Sequence, residues 1–212
     1  MSIRAVLFDF DGTLADSFAA IIASVNHVRH SFGLPPRPDA DIRRYIGHGL
    51  TALLADLCPG CDPAEAVARY RAHHADTMIA GTKLMPGVLD TVAELHRRGL
   101  ALGVCSNKAV AFTTRLVTAL GLGDHMTAVL GPEDVGGRPK PDPAMLLEGC
   151  RRLSVSADST VYVGDMTVDV EAGKAAGIPV WLVHIGLAGN DDPRAAGPAR
   201  VLGDFAEILK WV

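Results

Sequence analysis

A short apolar run that stops abruptly in acid constrains this chain more than any other feature. Ile3 to Phe8 is apolar except for Arg4, and Asp9-Phe10-Asp11-Gly12-Thr13-Leu14 follows at once. A run of this length, rich in β-formers and ended by a glycine turn, predicts a buried strand. Two carboxylates at the end of a buried strand repel each other and lose hydration. Such a pair persists only with a cation or a shared proton beside it. The rest of the chain must therefore bring compensating groups to that strand end.

The remainder alternates between strand-like and helix-like pieces. Strands are predicted at Leu100–Cys105, Ala128–Leu130, Thr160–Val163 and Val180–Val183. Helical faces are marked by Val88, Val92 and Leu95, by Phe112, Leu116 and Leu120, by Leu146, Leu147, Cys150 and Leu153, and by Val168, Ala172 and Ala175. A short terminal helix is expected at Phe205–Leu209, and the Gly-, Ala-, Asp- and Pro-rich stretch Gly186–Pro198 reads as a surface loop. Strands separated by helices imply an α/β fold, a parallel sheet with helices on both faces. Residues 16–83 break the pattern, with helical periodicity (Ile21, Val25, Val28, Phe32) and no clear strand. Further helices are expected at Ala40–Leu57 and Pro63–Ile79, making an all-α insertion into a core of residues 1–15 and 84–212. With 49% apolar residues among 212, the chain can build both parts.

In open parallel sheets, ligands bind beyond the carboxyl ends of the strands. Asp9 and Asp11 follow the first strand; Ser106, Asn107 and Lys108 follow the second; Gly164, Asp165 and then Asp169 follow Thr160–Val163. The Ala128–Leu130 strand leads to Arg138-Pro139-Lys140-Pro141. Several carboxylates, hydroxyl and amide donors and one ammonium suit a phosphate ester with a hard divalent cation such as Mg²⁺, which takes few protein carboxylates. Asp9 and Asp165 are the expected metal ligands, with Asp11 adding its backbone carbonyl. Ser106, Asn107 and Lys140 are the expected phosphate-binding residues. Asp9 is the expected nucleophile and Asp11 the acid and base toward leaving group and water.

These four clusters, in this order, resemble the motifs of the haloacid dehalogenase superfamily. The insertion between the first and second is similar to the helical cap of its phosphoglycolate-phosphatase-like branch. The resemblance implies a Rossmann-like core, Mg²⁺ and an aspartyl-phosphate on Asp9. It also implies that Asp169 supports the metal site or positions Lys140. Met166 departs from the pattern, since many relatives carry serine there.

Substrate choice is expected to lie in the insertion. Ile46-Gly47-His48-Gly49-Leu50 has glycines that let the backbone approach a ligand, and resembles a cap loop of phosphoglycolate phosphatases. Arg43, Arg44, His48 and Lys108 are candidates to meet a substrate carboxylate, which favours 2-phosphoglycolate. The rivals are a sugar phosphomutase of the same superfamily, a dehalogenase attacking carbon, and a noncatalytic binding module. Asp11 and Asp165 argue against the dehalogenase, which needs neither. Cys58-Pro59-Gly60-Cys61 reads as a loop pair without a metal or redox role, because a zinc site needs two more ligands. A net charge of −4 argues against nucleic acid as a partner. No signal-peptide pattern and no bilayer-length apolar stretch point to a cytoplasmic protein, monomer or homodimer, acting on a small phosphorylated metabolite.

Overall fold

A computed structural model describes residues 2–183, 187 and 189–212. His184 and two positions of the expected 186–198 loop, 186 and 188, lie outside the described residues. The strands are β1 (Ala5–Phe8), β2 (Ala15–Asp16), β3 (Lys83–Leu84), β4 (Ala101–Cys105), β5 (Ala128–Leu130), β6 (Thr160–Gly164), β7 (Val180–Leu182) and β8 (Arg200–Val201). Six of them form one sheet in the order β5-β4-β1-β6-β7-β8, with every neighbouring pair parallel. β1 lies between β4 and β6, so the chain winds outward from it in both directions. That is the doubly wound, Rossmann-like arrangement, with its ligand crevice at the central switch point.

The continuous apolar run of β1 follows from burial on both faces. Ala5, Val6, Leu7 and Phe8 have no exposed surface. Val6 and Phe8 pack with Val88, Val92 and Leu95 of α5 (Val88–Arg97) and Leu116 of α6 (Val110–Ala119), and Phe8 stacks on Phe205 at 5.8 Å. Leu7 packs on the other face with Met145 and Leu146 of α7 (Ala144–Leu153) and Val170 of α8 (Thr167–Ala176). Two expected core positions are exposed. Leu147 is exposed, its place taken by Met145, and Ala176 rather than Ala175 faces the sheet.

Between β2 and β3 stand four helices, α1 (Phe18–Ser31), α2 (Asp39–Arg43), α3 (Leu50–Leu57) and α4 (Pro63–Thr77). Their buried residues, among them Phe18, Ile21, Val25, Ile42, Leu53 and Tyr70, form a hydrophobic cluster of their own. Pro63 opens α4, and the Asp62 carboxylate accepts a hydrogen bond from the Glu65 amide at 2.8 Å, so proline and N-cap together fix the start of this helix. The single helix expected over 40–57 is instead two. The backbone turns between them through Gly47 (φ 113°) and Gly49 (φ 90°), angles a helix cannot contain. β2 and β3 pair antiparallel where the insertion leaves and rejoins the core. At two residues each they are too short to show periodicity, as is β8. The terminal segment Phe205–Lys210 is 3₁₀ rather than α-helical.

Leu102 sits fully buried in central β4. Leu102→Ala is expected to lower unfolding stability by about 2–5 kcal/mol, measured by denaturant titration, with an unchanged m value.

Candidate active site

Register brings the polar residues together. Phe8 pairs with Val104 on one side and Val163 on the other, so the residues just beyond emerge side by side. The Asp9 amide donates to the Val163 carbonyl at 2.9 Å, continuing the ladder one step past β1. Asp9, Ser106 and Asp165 are all buried at this edge. The Gly12 turn (φ 91°) then folds back against Asp165, and a side chain there would put Cβ 2.9 Å from the Asp165 carboxyl carbon. Glycine is required on both counts, conformation and space. Thr13 donates its hydroxyl to Asp165 Oδ1 at 2.8 Å.

Lys140 arrives from the loop between β5 and α7 and is 3% exposed, so its charge is sustained only by its neighbours. Its Nζ lies 2.8 Å from Asp9 Oδ1 and 2.7 Å from Asp169 Oδ1, and donates to the Tyr162 hydroxyl at 2.8 Å. Burial pushes the ammonium's pKa down, but Asp169 and Asp9 together outweigh it and hold Lys140 above the ordinary lysine value.

Asp169 is saturated with donors. Oδ1 receives Lys140 Nζ and shares the Tyr162 hydroxyl proton (3.1 Å) with the Cys105 carbonyl (2.9 Å), while Oδ2 receives the Asp165 and Met166 amides at 3.1 and 3.0 Å. It thus caps α8, the duty Asp165 would otherwise perform. Asp9 and Asp165 are less satisfied. Asp9 Oδ1 touches the lysine as an ion pair but has no aligned donor, and it is buried. Burial, opposed by Lys140 and reinforced by Asp169 and Asp11, raises the Asp9 pKa to about 6. Burial first, then Asp169 and Asp9, pushes Asp165 well above the carboxylate range.

Asp9, Asp165 and Asp169 offer oxygens all within 4.8 Å of one another. Three carboxylates face one ammonium, Lys140, and the two carboxylates it leaves over match a divalent cation. The donors are all oxygen and buried, and one of them lacks a partner. This set fits a hard cation, and among the described residues it is the one such group of three. Cys58 and Cys61 stand at a turn after α3 as free thiols outside any such group.

Asp11 stands apart from this cluster. It accepts from Lys108 Nζ at 2.9 and 3.1 Å and from the Ser17 hydroxyl. A cavity of about 390 Å³ opens between the sheet edge and the insertion, and Asp9, Asp11, Ser106, Lys108, Lys140 and His48 all line it.

Arg43, Arg44 and Asn107 are placed differently from the other expected residues. Arg43 is not among the residues lining the cavity. Its guanidinium lies over the Phe18 ring at 4.7 Å and donates to the Leu187 carbonyl, so its charge is engaged elsewhere. Arg44 does not line the cavity either. The Asn107 side chain, expected on phosphate, is committed to backbone. Oδ1 accepts from Lys140 N at 2.7 Å, and Nδ2 donates to the carbonyls of Lys140 (3.1 Å) and Gly47 (2.9 Å). Asn107 therefore braces Lys140 and ties it to the insertion. Gly47 is packed so closely there that a Cβ would strike Met166 Cε at 2.6 Å. The reading of the sequence also missed Tyr162, Arg71 and His74. Tyr162 looked like core. Arg71 and His74, three apart on α4, share a helix face that only a view of the cavity reveals.

This geometry is that of a hydrolase built on a doubly wound sheet. Residues 6–183 match the haloacid dehalogenase-like hydrolase family, and the chain belongs to it. It is 37% identical to the plasmid-borne phosphoglycolate phosphatase of Cupriavidus necator, over 97% of this chain and 90% of that protein. It is 34% identical to the phosphoglycolate phosphatase of Rhodospirillum rubrum, over 99% of this chain and 90% of that one. The crystal structure of a protein from Haemophilus somnus 129PT, described as a predicted phosphoglycolate phosphatase, superposes with a TM-score of 0.91 at 25% identity, covering 99% of this chain and 98% of that one. No helix among the described residues is long and apolar enough to cross a membrane.

The raised carboxylate pKa values have a consequence for stability. The folded state holds these protons longer than the unfolded chain. Their stabilisation is therefore complete below about pH 4 and fades as pH rises through about 6, the value for Asp9. His74, lowered to about 4, acts in the opposite direction over the same window, so only a difference between variants isolates the carboxylates. In chelator at pH 7, Asp165→Asn is expected to melt higher than wild type by several degrees (on the order of 1–3 kcal/mol). At pH 4 the gap is expected to close. Calorimetry at both pH values checks this.

Proposed function

We propose that the protein is a Mg²⁺-dependent phosphatase whose main substrate is 2-phosphoglycolate, working through an aspartyl-phosphate on Asp9. One observation carries the reading: Asp9, at a strand end, sits 2.8 Å from a buried ammonium and within 4.8 Å of a second buried carboxylate. The names of the Cupriavidus and Rhodospirillum relatives support the substrate. Residues 16–83 would act as a cap over the sheet edge, making the cavity's other wall.

Asp9 and Asp165, with the Asp11 backbone carbonyl, would hold Mg²⁺. When bound, it would supply positive charge that favours the ionised form of Asp9 and offsets repulsion between carboxylate and phosphate. Lys140 and Ser106 would hold the non-bridging oxygens, the lysine countering charge as the phosphoryl group moves. Asp9 Oδ attacks phosphorus, a P–O bond forms to the carboxylate, and the ester P–O bond breaks. Asp11 gives its proton to the departing oxygen. Asp11 then takes a proton from water, which attacks the same phosphorus, breaks the bond to Asp9 and releases phosphate. Asp11 can serve both steps because Lys108 and Ser17 hold it beside the reaction rather than inside the buried carboxylate cluster. Asp169 would position Lys140, since its two oxygens are already filled.

Asp9→Asn is expected to lower kcat on p-nitrophenyl phosphate and on 2-phosphoglycolate by about 10⁴-fold or more while leaving the thermal midpoint near wild type. Residual turnover within tenfold would remove Asp9 as nucleophile. A chelator is expected to stop turnover, and added Mg²⁺ to restore it. Mg²⁺ is also expected to raise the melting temperature of wild type but not of Asp165→Asn. Glucose 1-phosphate should release free phosphate rather than yield glucose 6-phosphate, which separates phosphatase from mutase.

A further inference from the structure

Among cations on the cavity wall, Lys140 is spent on Asp9 and Asp169, and Lys108 on Asp11. Arg71, on α4, lines the same cavity and pairs with no anion in the described residues. One helical turn on, His74 also lines it, 1% exposed, and its Nε2 has no hydrogen-bond partner. A buried imidazole nitrogen without a partner, on a residue that lines a cavity, is costly unless a ligand or water completes it.

The state of that nitrogen can be deduced. Ser24 donates its hydroxyl to the Ala20 carbonyl at 2.8 Å, and its oxygen also meets His74 Nδ1 at 3.0 Å and His73 Nδ1 at 3.1 Å. With that proton on Ala20, His74 Nδ1 is the donor to Ser24 and carries the ring proton. Burial, with Lys108 nearby, lowers the His74 pKa to about 4, so the ring is neutral near pH 7. Nε2 is therefore a bare acceptor, and it wants a donor such as a hydroxyl. Tyr70 stacked at 5.0 Å and Phe112 edge-on at 5.2 Å hold the ring in place.

We propose that α4 carries a leaving-group subsite in which Arg71 binds a carboxylate and His74 Nε2 accepts a hydrogen bond from a hydroxyl. The substrate range then extends beyond the two-carbon acid to phosphate monoesters of short hydroxy acids. The cavity, at about 390 Å³, has room for the longer chain. This rests on the phosphatase reading above, and the controls separate the two.

The test is a set of efficiency ratios, which do not depend on how much of a variant folds. kcat/KM is measured with Mg²⁺ on 2-phosphoglycolate, 3-phosphoglycerate (one hydroxyl more) and p-nitrophenyl phosphate (no carboxylate). Wild type is expected to hydrolyse both acids. Arg71→Gln is expected to lower the ratio of either acid to p-nitrophenyl phosphate by about 10–100-fold. His74→Phe keeps a ring but removes the acceptor, and is expected to lower the ratio of 3-phosphoglycerate to 2-phosphoglycolate by about tenfold. No wild-type turnover of 3-phosphoglycerate, or an unchanged ratio in His74→Phe, overturns the hydroxyl site. An unchanged acid ratio in Arg71→Gln overturns the carboxylate site. If wild type turns over none of the three esters, the phosphatase reading fails first.

Discussion

The ammonium of Lys140, buried between Asp9 and Asp169, is the contact on which the rest of this architecture turns. A lysine at 3% exposure keeps its proton only because carboxylates surround it. Each partner has a second duty. Asp169 caps α8 and holds the Tyr162 hydroxyl, fixing where β6 ends and the helix begins. Asp9 faces the cavity. One charge network thus joins three segments distant in sequence, with more carboxylates than ammonium groups. That excess of carboxylates suits a divalent cation.

The insertion is tied into the same network through Asn107. Its amide brackets the Lys140 backbone on both sides and reaches the Gly47 carbonyl across the cavity. Movement of the Gly47 loop is therefore felt at the backbone that carries the lysine. Met166, the departure from the family pattern, fills the space that Gly47 leaves open. The same loop and α4 form the wall opposite the sheet edge. The core and the insertion, each with its own hydrophobic packing, are in this way joined by one set of hydrogen bonds.

The legibility of the sequence followed the range of the interactions. β1 was readable because burial on both faces leaves an unbroken apolar run, and Asp9 and Asp11 were readable because a turn glycine marks where it stops. Asp165 and Lys140 became readable once each was seen to follow a strand. Arg43 and Arg44 looked as available as Arg71, since spacing alone does not say which arginine finds a partner. Phe18 and the Leu187 carbonyl, far apart in the chain, decide it for Arg43. The split between α2 and α3 was signalled by Gly47 and Gly49, but apolar periodicity on either side outweighed them. β2, β3 and β8 are held by ladder bonds to partners, and two residues carry too little pattern to be seen.

The sequence by itself determined the α/β alternation, the helical insertion and the edge where the chemistry gathers, because burial imposes its periods locally and strand ends are marked by turns. Only the tertiary structure decided the order of the strands, which carboxylate serves the lysine and which is left open, and which cations face the cavity unpaired. Those are questions of charge neutralisation among buried groups. Their answers depend on distances between residues that the chain keeps far apart until it folds.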